Sequence, residues 1–109
     1  MARYLVQFAY SSEAIQNMVK NPQDRAAMVS GMAQQWGGSL EAFYYTFGDY
    51  DGVAIVDVPD NVTMAAISMA VTSSGAFKAF HTTVLIPMDE AVEAMRKAGS
   101  ISYQPPRAR

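Results

Sequence analysis

Two spacings of apolar residues alternate along this chain, one of period two and one of helical period. "RYLVQFAY" (Arg3–Tyr10) is rich in β-branched and aromatic residues and predicts a strand. Ser11 or Ser12 is placed to cap a helix beginning at Glu13, since a Ser oxygen accepts the free amide protons of a first turn. "NP" (Asn21–Pro22) interrupts that helix, because Pro disfavours helical geometry in the residue before it. A second helical segment, Gln23–Trp36, puts Ala26, Val29, Met32, Ala33 and Trp36 on one stripe, and Gly37–Gly38 stops it. Strands follow at Ser39–Phe47 and Gly52–Val58. Pro59 and Asp60 then open a helix with Val62, Ala66, Met69 and Ala70 at helical spacing, ended by Gly75. The fourth strand is Ala76–Ile86. Pro87–Gly99 forms a last helix, acidic in its first turn and basic at Arg96 and Lys97, as the helix dipole favours.

The order β-α-β-β-α-β plus a terminal helix is the split βαβ, or ferredoxin-like, arrangement of an α+β protein. Right-handed crossovers place the helices on one face of a four-stranded antiparallel sheet. Residues 1–99 form the domain, and residues 100–109 are an extended tail without periodicity.

A sheet covered on one face alternates apolar and polar residues. These strands mostly do not. Tyr4, Val6, Phe8 and Tyr10 share one side, while Leu5 and Ala9 share the other with Arg3 and Gln7. In the second strand Phe43, Tyr45 and Phe47 oppose Leu40, Ala42 and Tyr44, and the third is apolar except for Asp57. A single chain has helices for one face only. A second copy over the other face, in a two-fold dimer, is the expected remedy.

Composition narrows the function. Half of the 109 residues are hydrophobic and 17% are charged, with a net charge of −2. That balance lacks the basic stripe that nucleic acid requires. No apolar run approaches the ~20 residues of a membrane span, and "MARYLVQF" enters strand sequence directly, with no secretory leader. Cys is absent, which removes thiolate chemistry and Cys-held metals, and these features together point to the cytoplasm.

At "TFGDYDGVA" (Thr46–Ala54) the chain resembles the GYD-domain family, whose Gly-x-Tyr-Asp signature falls on Gly48, Tyr50 and Asp51. The resemblance extends to "KNPQDRA", "GGSLEAFYYTFGDYDGV", "DNVTMAA", "SSGAFKA" and "DEAVEAMRKAG", nearly the whole chain. It implies a dimeric α+β barrel, in which the sheets of two subunits pair. It implies no activity. The wider superfamily includes cofactor-independent monooxygenases, isomerases, polyketide cyclases and haem enzymes, and fold does not fix function.

The "GDYDG" loop carries the first candidates. As a hairpin turn, Gly48, Asp49 and Gly52 supply turn geometry, Asp51 accepts backbone amides of the loop, and Tyr50 packs across it. As a site, Tyr50 donates a hydrogen bond and Asp51 acts as acid or base, and Asp49 with Asp51 makes a carboxylate pair. His81, the single histidine, is a candidate base, since imidazole titrates near neutrality. Tyr45, Gln7 and Arg3 are candidate ligand-binding residues on covered faces. Arg25 reads as a surface or loop-bracing cation. Met18, Met28, Met32, Met64, Met69 and Met95 lie in predicted helices and read as core packing.

Two function classes follow. One is a non-catalytic homo-oligomeric module that binds a small apolar or aromatic ligand or simply assembles. The other is a small-molecule enzyme with no metal or organic cofactor, using Tyr50, Asp51, His81 and Tyr45. The absence of a recognisable catalytic constellation favours the module.

Overall fold

A computed structural model describing residues 1–107 shows side-chain caps at the start of three helices. Ser11 accepts the Ala14 amide to open α1 (Ser12–Lys20), and Asp24 accepts the Ala26 amide to open α2 (Arg25–Gln35). Asp60 accepts from both the amide and the hydroxyl of Thr63 to open α3 (Asn61–Thr72). The two hydrogen bonds, backbone first, hold the Asp60 carboxyl below its ordinary range. The break between α1 and α2 falls at Asn21–Pro22, as the sequence predicts.

Strands β1 (Ala2–Tyr10), β2 (Ser39–Tyr45), β3 (Gly52–Val58) and β4 (Phe77–Leu85) form one antiparallel sheet in the order β2-β3-β1-β4. With α1, α2 and α3 as crossovers, this is the ferredoxin-like arrangement. β1 lies in the middle, and its even-numbered residues face the helices. Tyr4, Val6, Phe8 and Tyr10 are 2–6% exposed and join Ala54, Val56, Val58 and Met64 in one core. The Tyr4 hydroxyl donates to the Asn61 side-chain oxygen, tying the first residue of α3 to the sheet.

Three expectations about packing are corrected. A bulge between Leu40 and Ala42 turns Leu40 onto the same face as Phe43, opposite Val56, rather than with Ala42 and Tyr44. In α3 the inward residues are Met64, Ile67 and Val71; the stripe of Val62, Ala66, Met69 and Ala70 faces out. α3 has no charged residue and is apolar around most of its circumference, so periodicity alone selects neither stripe. Among the methionines, Met64 is buried and Met18 and Met32 half-buried, but Met28, Met69 and Met95 are exposed.

The last helix, α4 (Met88–Gly99), forms where predicted and then packs on nothing of consequence. None of its residues is buried, and among the described residues it makes no substantial contact with another element. Its apolar stripe of Met88, Val92 and Met95 points into solvent. The radius of gyration is 17.8 Å, against about 13 Å for a compact chain of this length. The tail continues without regular structure through residue 107; its last two positions, including Arg109, lie outside the described residues. No helix of the described residues is long and apolar enough to cross a membrane.

Candidate functional site

The turn between β2 and β3 is fastened to the middle of the sheet. The Thr46 amide donates to the Asp51 carbonyl (2.7 Å), and the Thr46 hydroxyl to the Tyr50 carbonyl (2.8 Å). Beyond the last β3 pair, the Asp51 amide donates to the Phe8 carbonyl (2.8 Å), and its Oδ2 accepts the Tyr10 amide (2.9 Å). Asp51 therefore extends the ladder of β1 after β3 has ended. The expected acceptor role is present, with an amide of a neighbouring strand in place of the loop's own amides.

The two bracketing glycines serve different ends. Gly48 has φ +139°, with open space around its missing side chain. Gly52 has no such backbone; instead a Cβ there would run into the Phe8 ring. Phe8 lies over Gly52 and makes edge contacts with Tyr10 and Phe77, with ring centroids 5.3 and 5.5 Å away.

Tyr50 does not fold back over its own loop. Its ring meets His81 of β4 edge-on, centroids 6.5 Å apart. His81 pairs with Gln7 of β1, which pairs on its other side with Val53, next to Tyr44. Tyr44, Gln7 and His81 thus form one row on the sheet face away from the helices, with Tyr50 at its border. Asp49 is exposed at the loop tip. At the opposite end of that face Arg3 binds Glu41 and lies 3.5 Å from Asp57. Tyr45 is on the other face and lines an open groove of about 290 Å³ with Ile15, Met18 and Pro22.

The sheet and helices flank a different space, open on one side. A cavity of about 90 Å³ lies between Phe8, Ala54 and Val56 of the sheet and Met32, Met64 and Ile67 of the helices. Its lining is apolar apart from Tyr10 and Arg25. Trp36 also borders it. Tyr50, Asp51 and His81 do not. Burial pushes the Tyr10 phenol above its ordinary value, and the Arg25 guanidinium beside it only partly opposes this. Tyr10 therefore stays neutral and available as a donor at neutral pH. Arg25 donates to Gln23 Oε1 and approaches Met28 Sδ, both 3.2 Å, and among the described residues it has no acidic partner within ion-pair distance.

The sequence reading named neither Tyr10 nor Arg25 as a site residue. A signal existed. Arg25 is the single charge on α2 and α3 together, and Tyr10 ends the helix-facing row of β1 with a polar tip.

Comparisons with known proteins agree with the fold. The GYD domain matches residues 4–95. No curated protein matches the chain significantly. Among solved structures, one described as the crystal structure of FFRP-DM1 superposes with a TM-score of 0.50 at 12% identity. That match covers 79% of this chain and all of the other. At such identity it supports the fold alone.

Proposed function

The chain belongs to the GYD-domain family, and from that premise we propose that it is a self-assembling module binding a small apolar ligand between its sheet and helices. The observation that carries this is the cavity: a half-open, almost wholly apolar space between the sheet and the helices. Empty space in a core costs stability, because lining atoms lose their contacts. An apolar guest restores them. An apolar cavity of ~150 Å³ accepts benzene, so 90 Å³ suits a branched group of about four carbons.

Self-assembly is supported by what lies unpartnered. The open sheet face carries Leu5, Ala42, Val53 and Ile55 at its centre, and α4 extends a second apolar stripe away from the body. Pairing of two open faces in a two-fold dimer buries the first, and an arm reaching the partner buries the second.

Titration with short branched neutral compounds tests the ligand reading. Trp36, the single tryptophan, borders the cavity, so its emission is expected to shift saturably with isobutanol or isovaleramide. The Ala54→Leu variant, with the space filled, should lose the response. A flat titration, confirmed by ligand-observed NMR, removes the reading.

A second reading, a cofactor-independent enzyme using Tyr50, Asp51 and His81, has one observation in its favour. The Tyr50 and His81 rings meet beside Gln7 on the face that dimerisation would enclose.

A further inference from the structure

The cavity has one charged residue at its border, and that residue faces the wrong field for a helix. Arg25 is the first residue of α2, where the helix dipole is positive and favours anions. A cation there is disfavoured unless something negative joins it. Asp24 caps the helix through Oδ1 and makes no ion pair with Arg25. Asp51 is near enough to influence Tyr10, yet its Oδ2 is taken by the Tyr10 amide and it does not line the cavity.

We propose that the cavity binds a small apolar monocarboxylate, its hydrocarbon part among Phe8, Met32 and Met64 and its carboxylate on Arg25 and Tyr10. This rests on the ligand-binding reading above and specifies the ligand's charged end. The chemistry divides cleanly. The apolar lining offers no partner for a charge, so the acid group must lie where Arg25 and Tyr10 meet the cavity. Arg25 supplies charged donors, and Tyr10 is a buried neutral phenol with a proton to give. A guanidinium hydrogen-bonded to a carboxylate is the stronger sort of hydrogen bond. The positive end of α2 adds to the same attraction. A cationic ligand meets Arg25 with like charge and is rejected.

Calorimetric titration of the intact chain with isovalerate and isovaleramide at pH 7 tests this, because the two differ mainly in charge. Isovalerate is expected to bind about tenfold more tightly or better, the scale of a charged hydrogen bond. Added salt should weaken isovalerate more than the amide. In Arg25→Gln the two affinities should converge, with isovaleramide little changed, while Arg25→Lys should keep part of the preference. Equal affinities on the native protein, or a preference that survives Arg25→Gln, overturn the carboxylate assignment while leaving ligand binding intact. Binding of neither compound overturns both. The native comparison needs no variant, so a misfolded substitution does not protect the proposal.

Discussion

On the helix-facing side of the sheet, Val6 and Phe8 are each 5% exposed; one residue away, Leu5 and Gln7 are only half-buried. The same strands make both faces, and in β3 Val53 and Ile55 of the open face are as apolar as Ala54 and Val56 of the other, yet only half-buried. The helix-facing side is filled by rings that touch one another, with Tyr10 stacked on Phe77 at 5.0 Å and Phe8 tilted on Phe43 at 5.7 Å. The open side has an apolar middle between an ionic row, Arg3 with Glu41 and Asp57, and a polar-aromatic row ending at His81. Along β3, burial therefore follows which side receives helices rather than side-chain polarity.

Breaking each face in turn separates their roles. Phe8→Ala should cost ~3–5 kcal/mol of unfolding free energy, as large-to-small core changes do, and the loss should not depend on protein concentration. Leu5→Asp, its neighbour on the open face, should instead shift the protein by light scattering from about twice its 11.9 kDa to a single chain. A native protein that is monomeric at micromolar concentration ends the assembly half of the comparison.

A smaller effect sharpens the role of the turn. Gly52→Val drives a side chain into the Phe8 ring and should cost ~1–3 kcal/mol, the range for overpacking. Gly48→Ala meets no atom and bears only its positive φ, so ~1 kcal/mol is expected. Denaturant unfolding that ranks Gly48→Ala as the worse of the two would show that backbone geometry, rather than contact with Phe8, governs this turn.

The smallest effect is one of pH. The folded state binds the Tyr10 proton more tightly than the unfolded chain does, since burial raises its pKa. Its contribution to stability is therefore complete below a pH of ~10, the unfolded value for tyrosine, and is lost as pH rises through the folded value. Between pH 9 and 11 the melting temperature of the native protein should fall faster than that of Tyr10→Phe. Parallel curves would mean that Tyr10 is wetter than the helix-facing side requires.

Most helix and strand starts were legible in the sequence to within a residue, because the causes are local; α2 begins at Arg25 rather than Gln23, behind an Asp24 cap that the sequence reading did not single out. Ser11 and Asp60 cap the helices that follow them, Asn21–Pro22 breaks one helix from the next, and Gly52–Val58 is a strand to the residue. Period-two runs and crossover handedness were then enough for the ferredoxin-like arrangement. The position of the loop signature between two strands was also legible, but not its attachment, since the Tyr10 amide that Asp51 accepts lies 41 residues away.

Tertiary structure alone decided the rest. α3 is apolar on two stripes, and in the fold Met64 and Ile67 turn inward while Val62 and Met69 lie in solvent. The bulge beside Leu40 reverses a side chain that strict alternation places on the opposite face. α4 has the pattern of a packed helix, yet among the described residues it makes no substantial contact with another element. The candidate site follows the same logic. Tyr10 and Arg25 are 15 positions apart and ordinary in isolation; the sheet and α2 bring them together at an apolar space. Sequence pattern marks which residues are apolar, whereas the tertiary arrangement decides which of them leave water and whether any space remains between them.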